Sequence, residues 1–133
     1  LRRIIVKIRP EWVFLPHHAD VHSDHRVVFN AMAALLKPVG MWLYGVKRVI
    51  SCEPISETEA AMPLSNNAFL PTVYVDITST IERKLELMAL YETELQPEPN
   101  PRSLSAIRAL ARYRGASVGV EYAEAFTLLR EIL

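Results

Sequence analysis

Trp12-Val13-Phe14-Leu15-Pro16-His17-His18-Ala19-Asp20-Val21-His22-Ser23-Asp24-His25-Arg26 joins an apolar run to a cluster of histidines and aspartates. Its first four residues form a short apolar run that suits a buried strand, and Pro16 ends it because proline has no backbone N–H to give to a ladder. From Val27 onward the period changes. Val27, Val28, Ala31, Ala34 and Leu35 recur at three- and four-residue spacing, which predicts an amphipathic helix with Ser23 or Asp24 placed to cap its start. The polar residues between therefore occupy a strand-to-helix loop. In open parallel α/β sheets ligands bind just beyond the carboxyl ends of the strands, which is where such a loop lies.

All four histidines of the 133-residue chain fall in this loop, His17, His18, His22 and His25, interleaved with Asp20 and Asp24. A neutral imidazole serves a metal or carries a proton near neutral pH, and a neighbouring carboxylate can orient the ring or bind the metal itself. His22 and His25 are three apart, so in a first helical turn their rings share one face. Asp24 then points elsewhere and suits a supporting role, holding a histidine ring or a catalytic partner by a hydrogen bond. The same residue types also suit a solvated loop or a helix cap. A metal site needs three or more protein ligands, and His25, His22 and the aspartates are the candidates this loop offers.

Working outward, Leu1, Ile4, Ile5 and Ile8 suggest the tail of a helix feeding the Trp12–Leu15 strand, and residues 46–52 suggest a second strand after the break at residues 38–40. Residues 53–71, with Pro54, Pro63, Asn66 and Asn67, read as a long irregular loop in which Glu57 and Glu59 are solvated charges before they are cleft residues. Thr72 to Ile77 is rich in β-branched residues and reads as a strand. Ser79-Thr80-Ile81-Glu82 matches a capping box opening a helix to about Leu95, with Ile81, Leu85, Met88 and Leu95 inward. Pro97, Pro99 and Pro101 interrupt the chain before a helix from Ser103 to Arg114. Tyr122 to Leu129 tolerates helical spacing but is preferred as extended. This alternation predicts one α/β domain over residues 1–133, its sheet mostly parallel and covered by helices on both faces.

Hydrophobic residues make up 50% of the chain, charged residues 23%, and the formal net charge is +0. No basic field results, so a nucleic-acid partner is not expected. Arg102, Arg108, Arg112 and Arg114 form a local basic stretch that reads as a solvated helix face, with contact to an anionic sugar or nucleotide-sugar phosphate as the minority alternative. The one cysteine, Cys52, cannot form an internal disulfide and reads as a small buried side chain. No apolar stretch is long enough to span a bilayer, and a soluble, cytoplasmic protein is the expectation.

The segment from Trp12 to Arg26 resembles the second motif of the PIG-L or LmbE-like family of zinc-dependent de-N-acetylases. The resemblance continues in the family's order through Pro71-Thr72-Val73-Tyr74-Val75-Asp76-Ile77, Lys84-Leu85, Tyr91-Glu92-Thr93-Glu94-Leu95, Pro101-Arg102-Ser103, Ala111-Arg112-Tyr113-Arg114-Gly115 and Gly119-Val120-Glu121-Tyr122-Ala123-Glu124-Ala125-Phe126. It implies a Rossmann-like sheet and a zinc hydrolase that removes acetate from an N-acetylated amino-sugar conjugate of the N-acetylglucosamine type. It further implies that His25 is a metal ligand and that His22 steadies the tetrahedral intermediate or protonates the leaving amine. Asp24 would orient a neighbouring histidine. Ser23 stands where family members often carry proline, which changes loop stiffness and removes no functional side chain.

The family's first motif, His-Pro-Asp-Asp, occurs nowhere in these residues, and it normally supplies the general base and two zinc ligands. The chain is thus expected to be the C-terminal portion of such a deacetylase, its fold incomplete and its activity absent without an N-terminal half. That half would be supplied by the same protein or by a second chain, and homo-oligomer formation is left open. The alternative is a non-catalytic relative that binds a sugar or a partner without hydrolysis. A metal phosphoesterase also uses His/Asp clusters, but the downstream match speaks against it.

Overall fold

The computed structural model describes all 133 residues. In chain order the elements are α1 (Arg2–Ile8), β1 (Trp12–Leu15), α2 (Ser23–Leu35), α3 (Pro38–Tyr44), β2 (Arg48–Ser51), β3 (Val73–Asp76), α4 (Ile81–Ala89), α5 (Leu104–Ala116) and β4 (Ala123–Glu131). The strands form one four-stranded sheet in the order β1-β2-β4-β3. The α/β class holds, but the expectation of a mostly parallel sheet is corrected. β1 and β2 run parallel with Leu15 opposite Ser51, whereas β4 lies antiparallel to β2, with a register shift between Val49 and Ile50. Apolar patterning reports burial and not direction; here β4 returns beside β2 and is tied there by the Arg48–Glu131 ion pair.

The chain divides into two compact units, one of residues 1–72 with 126–133 and one of residues 73–125. In the first, Val13 and Leu15 of β1 and Val49 of β2 meet Ile5 of α1, Met32 of α2 and Met41 and Tyr44 of α3 in one buried cluster. All three helices thus lie on one face of these strands, on the side to which the period-two alternation of β1 sends Val13 and Leu15. Trp12 and Phe14 project from the opposite face and are half exposed. The Arg48 guanidinium lies 3.9 Å from the Trp12 ring centroid, and Phe126 meets Phe14 edge-on at 5.7 Å.

The helix expected from Val27 onward forms, with a different face inward. Met32 is buried and Phe29 and Leu35 are partly buried, while Val27, Val28, Ala31 and Ala34 are exposed. Hydrophobic spacing gave the period; the packed stripe is offset by a residue or two, set by what the neighbouring strand offers. α2 and α3 then meet at 80°. Gly40 allows this corner, because a Cβ there would stand 1.9 Å from the Leu35 carbonyl oxygen. No single helix is long and apolar enough to cross a membrane.

In the second unit the N–H of Ile77 donates to the Tyr122 carbonyl at 3.0 Å, and α4 packs with α5 through Ile81, Leu85, Ile107 and Ala111, all buried. The expected capping box does not form. Thr80 is the N-cap and its side chain makes no cap bond; Glu82 instead receives both Nη groups of Arg108, at 2.6 and 2.7 Å. The stronger charge-assisted pair takes the carboxylate that a capping box would use. α4 ends at Ala89, short of the expected Leu95, with a separate turn following at Tyr91. Ser103 caps α5, its Oγ accepting the Ala106 N–H at 3.2 Å. Hydrogen bonds from Thr78 hold the Asp76 carboxyl below its ordinary value, and Arg108 does the same to Glu82.

Met41 is fully buried and its neighbour Trp42 is 80% exposed, so Met41→Ala should cost about 2–5 kcal/mol in chemical denaturation and Trp42→Ala within about 0.5 kcal/mol of nothing. Thr78→Val should move the Asp76 titration, followed by carboxyl NMR, upward toward the ordinary aspartate value. Since the folded value is the depressed one, the stabilisation from Asp76 is complete above the unfolded value and vanishes as pH falls through the folded one.

Candidate active site

The loop after β1 is fastened where it leaves the strand. Ser51 Oγ donates to the Pro16 carbonyl at 3.2 Å, and the Cys52 N–H donates to Leu15 O at 2.7 Å. Parallel pairing of β1 with β2 therefore puts the exits of both strands side by side, as the topology rule requires of a ligand-binding edge. A cleft of about 470 Å³ opens there, with Phe14, Pro16, Asp24, His25, Cys52 and Pro54 in its wall. This falls within the size range of small-molecule sites.

The four histidines divide into two pairs. His17 is 4% exposed, and its Nε2 lies 2.9 Å from the Asn67 carbonyl oxygen; His18 Nε2 lies 2.9 Å from that of Asn66. The His17 ring also meets Phe69 edge-on at 5.5 Å. These two rings hold the short turn at Ser65–Asn67 and take no part in the cleft wall.

His22 and His25 are brought together at the start of α2, their rings stacked 5.0 Å apart with 26° between the planes. His22 is itself the N-cap, in extended conformation, and its Nδ1 accepts the Asp24 N–H at 3.2 Å. The cap expected at Ser23 or Asp24 thus sits one residue earlier, because an unprotonated imidazole nitrogen can do the work of an asparagine or serine oxygen. His25, in the first turn, has Nδ1 2.8 Å from Oδ2 of Asp20. Asp24 meets the His22 ring through its backbone N–H, while its carboxylate accepts from Ser23 Oγ at 3.3 Å.

The carboxylate that holds a histidine ring is that of Asp20, which is completely buried. Its second oxygen accepts Thr58 Oγ1 at 2.7 Å. Arg26 Nη1 donates to both the Asp20 and the Val21 carbonyls at 2.8 Å, bracing the loop backbone over the same carboxylate. Asp20 was visible in the sequence as one of two aspartates among the histidines; Thr58 lies 38 positions away and no local signal marks it. Glu57 and Glu59 serve their own turn, Glu59 Oε1 accepting the Ser56 N–H at 2.6 Å and the Glu57 carbonyl accepting the Val21 N–H at 3.2 Å.

In the second unit, the arginine stretch is matched by acids. Arg102 pairs with Glu94, Arg108 with Glu82 and Arg112 with Glu121. Cys52 is partly buried at the cleft.

His25 has Nδ1 on a buried carboxylate and Nε2 unused by any hydrogen bond to protein, the arrangement of a carboxylate–histidine–metal unit. Yet nowhere do three or more His, Cys, Asp or Glu side chains group so as to hold a metal ion. The chain does not by itself close a zinc site.

No family model matches the chain. Among solved structures it is similar to the conserved protein TT1542 from Thermus thermophilus, with a TM-score of 0.69 and 25% identity over 98% of this chain and 56% of that one. It is also similar to the N,N'-diacetylchitobiose deacetylase from Pyrococcus horikoshii, with a TM-score of 0.62 and 21% identity over 96% and 49%. The chain spans about half the length of these structures, and within that span it shares their fold.

His17→Phe keeps a ring against Phe69 and removes the donor to Asn67. Limited proteolysis should then cut residues 62–69 faster than in the parent chain, with a stability loss of about 0.5–1.5 kcal/mol as the partly buried Asn67 carbonyl loses its donor. An unchanged cleavage rate would mean that the loop is held by something else.

Proposed function

We propose that this chain carries part of the active site of a zinc-dependent hydrolase that removes the acetyl group from an N-acetylated amino-sugar conjugate of the N-acetylglucosamine type. The observation that carries the reading is the His25 unit: a cleft-lining imidazole whose Nδ1 is held by a buried carboxylate and whose Nε2 is left for a ligand. The likeness of fold to a diacetylchitobiose deacetylase supports the substrate class. The resemblance in sequence supplies the roles, with His25 as metal ligand and His22 acting on the reacting group.

Amides resist hydrolysis because water is a weak nucleophile, the carbonyl is a poor electrophile and the amine leaves badly. Zinc, held in part by His25, would supply Lewis-acid activation of water and of the amide carbonyl. The chain's own residues address the rest. Asp20 and Thr58 fix the ring of His25, Arg26 and Ser51 hold the loop that carries it, and the His22 ring is stacked beside it with Nδ1 engaged by the Asp24 N–H, which leaves its Nε2 as the nitrogen able to donate. A hydrogen bond from that nitrogen would stabilise charge developing on the carbonyl oxygen or aid departure of the amine. The remaining zinc ligands and the general base would come from a further segment of the protein or from a second chain.

The lack of a three-ligand group favours one other reading, a fold relative that binds a sugar or partner without hydrolysis. Metal content and turnover of the purified full-length protein, or of the chain with its co-purifying partner, separate the two. About one zinc per complex and release of acetate from N-acetylglucosamine conjugates are expected. His25→Ala should abolish zinc loading, whereas His22→Ala should retain zinc and lower turnover by roughly 10²- to 10⁴-fold, the usual worth of a proton-transfer group. Retained metal and full activity in His25→Ala would refute the assignment.

A further inference from the structure

We infer that His22 and His25 are fixed in opposite tautomers, and that Asp20, braced by Thr58, is the positioning residue that sets the proton of His25. The hydrogen-bond partners dictate the assignment. Oδ2 of Asp20 lies 2.8 Å from His25 Nδ1. A carboxylate oxygen accepts, so the ring nitrogen donates and Nε2 keeps its lone pair. Oδ1 is occupied by the Thr58 hydroxyl, and the side chain has no exposure to water that could replace either donor.

His22 faces the reverse partner. Its Nδ1 accepts a backbone N–H from Asp24, so that nitrogen is bare and the proton sits on Nε2. His17 and His18 both turn Nε2 toward backbone carbonyls, which again requires the proton on Nε2. Of the four histidines in the chain, His25 alone carries its proton on Nδ1.

The two stacked rings therefore differ at Nε2, an electron pair on His25 and an N–H donor on His22. Identical tautomers would offer two lone pairs or two donors. On that pairing His25 Nε2 would serve as a ligand to a metal and His22 Nε2 would serve as a hydrogen-bond donor to a substrate oxygen. That use rests on the hydrolase reading; the tautomers do not, since they belong to the chain without metal or substrate.

Long-range proton–nitrogen correlation NMR of the histidine-labelled chain, recorded above the imidazole titration and with no metal added, reads each ring nitrogen as protonated or bare. Three rings should show the Nε2–H pattern and His25 the Nδ1–H pattern. In Asp20→Asn the carboxamide N–H₂ can turn to His25 and make Nδ1 the acceptor, so the His25 pattern should reverse while His22 stays. Thr58→Val should turn the His25 signal into a mixture, and Thr58→Ser should restore it. A parent chain with His25 on Nε2–H, or an Asp20→Asn chain with its pattern unmoved, overturns the inference. If Asp20→Asn does not fold, the two Thr58 variants decide, and a His25 signal indifferent to both overturns the bracing. The predicted tautomers in a protein that loads zinc and hydrolyses nothing would remove the hydrolase reading and leave this one standing.

Discussion

A completely buried carboxylate organises the first unit of this chain. Asp20 has no contact with solvent, and an unpaired charge at such a position would cost several kcal/mol, so every oxygen lone pair in the plane of its partners must be answered by protein. The answers come from the His25 ring in the first turn of α2 and the Thr58 hydroxyl from the loop after β2, while the Arg26 guanidinium fastens the backbone carbonyl of the same residue. The start of α2, the exit of β1 and the loop from β2 are thereby tied to one point. A site needing a ring nitrogen held to a fraction of an ångström is best built on such a point, because rigidity in its support is what makes it reactive in one geometry.

The parallel pairing of β1 with β2 is the other half of that construction. It brings the two strand exits together, so that Pro16 and Cys52 emerge side by side and the His22–His25 pair stands over their ends. The antiparallel arrival of β4 does not disturb this edge, because its pairing with β2 runs along the opposite side of that strand. A mixed sheet therefore keeps the local geometry that a wholly parallel one would have provided, and the site depends on the one parallel pair.

The opposite face of the β1–β2 pair is built differently. Trp12 and Phe14 stay half exposed there, softened by the Arg48 guanidinium over one ring and Phe126 against the other. β1 is an edge strand in this sheet, and edges of this apolar character are normally covered. The solved structures that share the fold are about twice as long as this chain.

The strand-loop-helix setting of the histidines and the convergence of His22 with His25 were legible in the sequence, because they follow from the strand and helix periods and from residues a few positions apart; a strict alternation of strands and helices was not, since α3 follows α2 directly and β3 follows β2. Strand order and direction were decided by the tertiary structure, since Trp12-Val13-Phe14-Leu15 reads alike whichever way its neighbours run. So was the inward stripe of α2, which lies off the most apolar face because Met32 and Leu36 are the residues that meet the β1–β2 pair. The division of labour among the histidines was decided in the same way. His17 and His18 look like His22 and His25 in the sequence, and the carbonyls of Asn66 and Asn67, the buried Asp20 and the distant Thr58 make them different. A hydrogen bond between side chains 38 residues apart leaves no periodic trace, and only the folded chain creates it.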